Sequence, residues 1–430
     1  MKTSAISEFY KKSLVDRIAC IKDFADLSDD EVMQLKQFGA LDFETANRMI
    51  ENVFSSHALP LGIATNFLVD QKEILIPMAL EEPSVVAAAS NAAKLCRQTG
   101  GFETEGDEPI MIGQIQLVKL PSAKKGQENI RKHKQELIDA ANEVDATLVK
   151  YGGGVKEIDT SILDTIKGEM LIVDLLVDVR DAMGANAINT IAERLTPRLE
   201  ELSGGQARLR IISNLAIHRK SRAKAVWKKE ELAVNTPEFK ATGEEVVERI
   251  LEAYAFADAD PFRATTHNKG IMNGIDAVAI ATGQDFRALE AGAHAYAWFK
   301  TKTYKPLTKY YKNKNGDLVG EIEIPTAVGL VGGAIKTHPI AKISIKLLKV
   351  KTAQEFGRVL ACVGLAQNFA ALRALATEGI QRGHMKLHAK NIAVAGGATG
   401  SLIDLVAEQM ITEKNIRQAR AEELVKEYSK

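Results

Sequence analysis

Between residues 109 and 215 the chain reads strand, helix, strand, strand, helix, strand, and no other feature restricts its fold as much. Residues 113–120 alternate polar and apolar side chains in their first half, as a half-buried strand does. A charged helix is expected over residues 123–144, then a short strand at 147–151 before the run Gly152-Gly153-Gly154. Residues 170–179 read as a strand, 182–202 as a long helix and 208–213 as the last strand. This order is that of a split βαβ, ferredoxin-like unit. It is not that of a six-strand doubly wound sheet, and GxGxxG occurs nowhere, so a dinucleotide site here would be non-Rossmann.

Helical patterns lie on both sides. Before the unit they cover 16–24, 28–38, 42–52 and 83–96, the last with Pro83 at its first position and Gly100-Gly101 beyond its end. After it they cover 243–255, 274–281, 285–298 and 353–376, with a hairpin of strands 304–311 and 318–324 turning at Asn315-Gly316. The expected architecture is α+β. A mostly helical large domain (1–108 and 216–375) carries the small domain 109–215 as an insertion, and a C-terminal helical flap spans 376–430.

Charge removes some functions. Lys+Arg and Asp+Glu both number 56, so no net field draws the chain to nucleic acid or to an anionic membrane. The start, MKTSAISEFYKKSLVDR, has no signal-peptide core, and no window of about 20 apolar residues is expected to span a bilayer. Cys20, Cys96 and Cys362 are far apart and form no CxxC, which reads as reduced thiols in a cytoplasmic protein without a metal site.

Four segments hold polar residues that a structural role explains poorly. Glu81-Glu82-Pro83-Ser84 places two carboxylates before an alanine-rich helix. They can be plain caps, or acids whose pKa burial raises. The stretch from Arg263 to Gly274, with His267, Asn268, Lys269 and Asn273, packs donors between glycines just before an expected helix. It reads equally as a solvated loop or as a carboxylate and oxyanion site. Asp181, Met183, Gly184 and Asn186 lie where a strand passes into a helix. Gly184 in a first helical turn costs about 1 kcal/mol against alanine, which close approach of a pyrophosphate would explain. His384 and His388 suit protonation of a leaving group, although a lone histidine is commonly structural.

Taken together, these segments resemble the soluble class II 3-hydroxy-3-methylglutaryl-coenzyme A (HMG-CoA) reductases. The resemblance is carried by EEPSVVAAAS at 81–90, DVRDAMGANAINT at 178–190, RATTHNKGIMNGIDA at 263–277, EAGAHAYA at 290–297, GLVGGAIKTHP at 329–339 and a long block over 364–393. It implies reduction of a thioester to mevalonate and coenzyme A by two hydrides from nicotinamide, through mevaldehyde. By position it implies Lys269 as the cation on the oxyanion, Glu82 as a proton donor, Asp285 coupled to both, and His384 as the acid for the departing thiolate. The three groups Glu82, Lys269 and Asp285 would titrate as one network. Arg263, Ser84, Asn273 and Gln367 would hold the substrate, and Asp145, Asp181, Met183, Gly184, Asn186 and Asn214 the nucleotide.

The resemblance further implies NAD(H), with NADP(H) left open, HMG-CoA, mevalonate and coenzyme A as ligands, and a homo-oligomer, a dimer or an assembly of dimers, with shared sites. Asp145 would favour NADH, because a carboxylate accepts from a ribose 2′-hydroxyl and repels a 2′-phosphate. Two departures from the family pattern stand out. ENVxGTF is here Glu51-Asn-Val-Phe-Ser55-Ser56-His57, and the usual Asn-Asp-Trp is Gln284-Asp285-Phe286. Another acyl-CoA reductase would keep residues 181–186 without needing Arg263, Asn273 and Gln367. A non-catalytic CoA-binding protein would be expected to lose one of Glu82, Lys269, Asp285 and His384.

Overall fold

The computed structural model describes residues 2–38, 41–236, 239–377 and 379–428, the side chains of 380–387 excepted. Its larger sheet runs in the order Thr308–Lys312, Leu318–Pro325, Lys220–Trp227, Phe102–Gly106, Leu61–Val69, Lys72–Ala79. Neighbours are antiparallel except Leu61–Val69 with Phe102–Gly106. The expected hairpin is present, with Gly316 at φ 82° in its turn. Four strands of this sheet were not legible in the sequence. In Lys72–Ala79, for example, residues 74–79 are a run of apolar side chains buried on both faces, and such a run lacks the alternation that separates strand from helix.

The helix Ala353–Ala376 lies against this sheet, with Pro261–Ala281 and Val85–Cys96 packed on it. It is 24 residues long and apolar enough by length and composition to cross a bilayer, contrary to the sequence expectation. Its apolar side chains are accounted for inside the protein: Phe356, Leu360, Val363 and Phe369 are fully buried. Trp227 stacks on Phe369 with ring centroids 3.9 Å apart and donates its indole N–H to the carbonyl of Ala92, which satisfies the one polar atom it brings into the core.

The smaller sheet contains Gln206–Ser213, Ile110–Val118, Gly168–Asp178 and Gly154–Thr165, in that spatial order and antiparallel throughout. Taken in chain order, its strands lie fourth, first, third, second, which is the split βαβ arrangement. Ile188, Ile191, Leu195 and Leu199, three or four residues apart on Ala185–Ser203, face Ile115, Leu117, Val173 and Leu175 of the sheet. Two expectations are corrected. The second strand is Gly154–Thr165, not 147–151. Ala146–Lys150 is instead a short helix, because the Asp145 carboxylate accepts from Leu148 N at 2.9 Å and caps it. The charged helix is also divided at His133 into Ala123–Lys132 and Lys134–Val144. Beyond the central helix, Ile380–Ala395, Leu402–Thr412 and Gln418–Tyr428 close around a core of their own that includes Ala393, Val406, Met410 and Leu424.

Candidate active site

The donor-rich stretch from Arg263 to Gly274 is not a loop before a helix. It lies within Pro261–Ala281, with Pro261 in the first turn and the Asp260 carboxylate accepting from Arg263 N at 2.8 Å. Glycines inside it suggested a break. The reason for Gly274 is packing: a Cβ there would sit 3.0 Å from Val363 Cγ1 and 3.1 Å from Gln367 Cβ of the central helix. That close approach puts Gln367, whose carbonyl oxygen Oε1 is buried with no partner among the described residues, against Gly274, the residue after Asn273.

Lys269 and Asn273 are spaced i, i+4 and share a face of the helix. Both reach Glu82 Oε2, Lys269 Nζ at 3.4 Å and Asn273 Nδ2 at 3.3 Å. Glu82 precedes Val85–Cys96, whose N-cap is Ser84 at φ 75°. A serine at an N-cap ordinarily accepts from the first turn, but here no side-chain cap bond forms and the hydroxyl stays available. A non-glycine residue held at positive φ costs on the order of 1 kcal/mol and concentrates at functional sites. Arg263 is half-buried, its pKa lowered by burial, and no carboxylate pairs with it among the described residues. An unpaired guanidinium is a ready receptor for a carboxylate.

Asp285 is not drawn into this cluster. As N-cap of Phe286–Phe299 it accepts from Ala288 N at 3.1 Å and pairs with Arg287 at 3.2 Å, so the expected group of Glu82, Lys269 and Asp285 appears as Glu82, Lys269 and Asn273. Its neighbour Gln284, the departure from the family's asparagine, makes two bonds to the backbone of Gly329, at 2.9 and 3.0 Å. His384 lies on Ile380–Ala395, and its side chain is outside the described residues.

On the small sheet's side, Ala185–Ser203 starts at Gly184, φ 109°, with no side-chain cap and no acidic residue in its first turn. Its first N–H groups are therefore free to receive a phosphate, and a dinucleotide pyrophosphate fits such an end. Asp181 is committed elsewhere. Its carboxylate accepts from Ala353 N at 2.8 Å and its carbonyl from Leu330 N at 2.8 Å. Met183 is half-buried against Gly329, while Asn186 and Asn214 are exposed. Asp145 caps Ala146–Lys150, and the strand that follows starts at Gly154, paired with Asp178 at the end of Gly168–Asp178 that leads to Asp181.

Sequence reasoning missed Arg219. It is 3% exposed and donates to the carbonyls of Ala182, Met183 and Val328, tying the nucleotide-side loop to the large sheet. Burial lowers its pKa to about 10, against the opposing fields of Asp178 and Asp181. Its only sequence signal was a charge at the start of a strand. A groove of about 760 Å³, lined by Arg222, Tyr296, Lys300 and Glu323 among others, lies apart from these groups: neither Glu82 nor Lys269 lines it.

An ammonium set against a carboxylate and an amide, an unpaired guanidinium on the same helix, and an uncapped helix start on the split βαβ unit together make a site able to polarise a carbonyl and to receive anions. The family model for hydroxymethylglutaryl-coenzyme A reductase matches residues 13–389. A 3-hydroxy-3-methylglutaryl-coenzyme A reductase of Archaeoglobus fulgidus is 56% identical over 423 residues, 98% of this chain and 94% of the relative. The probable enzyme of Borreliella burgdorferi is 35% identical, over 89% and 85%. Among solved structures, the reductase of Streptococcus pneumoniae superposes with a TM-score of 0.82 at 39% identity, covering 98% of this chain and 99% of that one. A class II form from the same organism, bound to NADPH in open conformations, gives 0.81 at 39% identity, over 86% and 99%. The chain belongs to the hydroxymethylglutaryl-coenzyme A reductase family, in its class II branch, whose reaction interconverts HMG-CoA with mevalonate and coenzyme A.

Proposed function

We propose that Glu82, Lys269 and Asn273 form the polar centre of the reductase, and that the shared contact on Glu82 Oε2 is the observation that carries this assignment. Lys269 meets the thioester oxygen as negative charge develops on it, and Glu82 protonates the same oxygen in the later stage. Asp285 joins them once its bond to Arg287 is exchanged, and His384 protonates the coenzyme A thiolate. Arg263 receives the substrate's free carboxylate, with Ser84, Asn273 and Gln367 on its hydroxyl and carbonyl groups.

A nicotinamide dinucleotide, when bound, supplies the hydride for each of two reductions. The uncapped start of Ala185–Ser203 holds its pyrophosphate, Asp181, Met183, Gly184, Asn186 and Asn214 line its path, and Asp145 accepts from the adenosine ribose. NADH is then preferred to NADPH, Lys150 and Lys156 being the basic neighbours that oppose this preference.

The working unit is a cytoplasmic homodimer or assembly of dimers, with the large domain (1–108, 216–375), the nucleotide domain (109–215) and the flap (376–430) acting as separate bodies. Two subunits share each site. The irregular segment around Phe54, which is 97% exposed, is the expected contact region. The deciding experiment is a purified-enzyme assay in both directions with NAD(H) and NADP(H), beside an Arg263→Ala variant. Reduction of HMG-CoA with a raised KM in the variant supports the assignment; an unchanged KM refutes the role given to Arg263.

A further inference from the structure

The face of Pro261–Ala281 that carries Lys269 and Asn273 continues to Asp276, at spacing i, i+4, i+7. Asp276 is not part of the Glu82 cluster. It meets Glu290 of Phe286–Phe299, carboxyl to carboxyl, while its own Oδ1 is buried with no hydrogen-bond partner among the described residues. One turn further along that helix, His294 Nε2 lies 2.8 Å from Glu290 Oε2, and His294 Nδ1 lies 2.6 Å from the Tyr304 hydroxyl. Asp276, Glu290, His294 and Tyr304 thus form one connected set, and the field of Lys269 reaches its Glu290 member.

Two carboxyl groups in contact cannot both be ionised at modest cost, so the pair holds one proton. Their surroundings decide which group carries it. Glu290 has the His294 bond and the field of Lys269 to favour its charge. Asp276 is more deeply buried and faces only Glu290, so it has neither. Asp285 and Arg287, at the start of the second helix, are already paired with each other, and Tyr304 offers no charge. Burial and the neighbouring Glu290 charge therefore favour the proton on Asp276.

We propose that Asp276 is a positioning residue for the reaction: held as a neutral acid against Glu290, it limits the charge behind Lys269 to a single carboxylate and keeps the ammonium directed at the substrate oxygen. This rests on the reading of Lys269 as the oxyanion partner. A second charge beside Glu290 would pull the ammonium back along its own helix face. It would also make the site more negative as the oxyanion forms, so turnover falls while ground-state binding does not.

The test compares pH profiles of wild type and Asp276→Asn, whose amide copies the neutral acid and cannot ionise. Burial, the Glu290 bond and the Glu290 charge raise the Asp276 pKa to about 8. The wild type should therefore lose kcat, with KM steady, through an apparent pKa near 8, and Asp276→Asn should keep neutral-pH kcat and lack that limb. The same limb in both proteins overturns the inference, as does a folded Asp276→Asn protein that is inactive at neutral pH. Difference infrared spectroscopy gives a readout without turnover. A protonated carboxyl band should be present at neutral pH, fade as pH rises, and be absent in Asp276→Asn; in Glu290→Gln it should fade at lower pH than in the wild type, burial alone then raising the Asp276 pKa. Its absence from the wild type overturns the inference even if Asp276→Asn does not fold. If Lys269→Met is fully active, the reading of the centre fails; if Lys269→Met is inactive but the Asp276→Asn profile is unchanged, this inference alone fails.

Discussion

Lys269→Met exchanges the ammonium for an apolar side chain of similar length, and the structure separates its effect on folding from its effect on rate. The Lys269 side chain is 61% exposed and its contact with Glu82 spans 3.4 Å. An exposed pair of that kind contributes about 0–1 kcal/mol to stability. For a chain of this size that is a melting shift of about 2–4 °C at most. The rate term is far larger, because removing a preorganised oxyanion donor lowers kcat by about 10²–10³, or roughly 2.7–4 kcal/mol. Lys269→Arg should recover little of it, since a planar fork does not place one charge where a compact ammonium does. The assay is steady-state reduction of HMG-CoA at saturating nucleotide, with a thermal melt on the same preparations. A variant that melts with the wild type and keeps more than about half of its kcat would refute the oxyanion role.

Other expectations follow from the same geometry. His384→Gln should spare mevaldehyde reduction while impairing the full reaction, because only the latter expels a thiolate; equal losses in both would remove His384 from that role. Mixed oligomers of Lys269→Ala and Asp181→Ala chains should recover activity if sites are shared between subunits, and verified mixed oligomers without recovery would show self-contained subunits. Asp145→Ala should shift the ratio of kcat/KM for NADH and NADPH toward NADPH, and an unchanged ratio would leave Asp145 as only a helix cap. Glu73 is held at a pKa of about 2 by Arg97 and Ser4, which overcome the opposing effect of burial. Its contribution to stability is thus complete above its ordinary value of 4.5 and is lost as pH falls toward 2. Acid unfolding followed by circular dichroism should be less steep in Glu73→Gln over that window.

Legibility in the sequence followed the physics of each element. The small unit could be read because one face of its strands and one stripe of its helix are buried, which leaves periods of two and 3.6. Its second strand was misplaced because Gly154–Thr165 is an edge strand, whose polar and charged residues face solvent and hide the alternation. The segment 147–151 carries β-branched residues that suit a strand, yet one carboxylate cap at Asp145 was enough to turn it helical. Arg263 to Gly274 was misread for a different reason: Gly270 and Gly274 are poor helix residues, and the packing of a second helix explains Gly274 while Gly270 faces open space. The polar residues themselves were found by type and by resemblance. Which of them touch was not legible, since Glu82 and Lys269 are 187 positions apart.

The connections between the two halves were the least legible part, because they run from side chains to backbone. Asp181 was singled out for a nucleotide, yet its carboxylate is spent on Ala353 N, at the start of the central helix. Arg219 gathers the carbonyls of Ala182, Met183 and Val328, and Gln284 grips both sides of Gly329, which packs on Met183 N. A backbone atom carries no residue identity, so no pairing rule in the sequence can announce such bonds. Their effect is nonetheless directional. The loop at 181–184 is fixed to the central helix that holds Gln367 and, through Gly329, to the residue beside Asp285. These bonds join the 181–184 loop to the helix start that carries Asp285, which stands apart from Lys269. The Gln284 amide carries both a donor and an acceptor, so a single side chain makes both of those bonds.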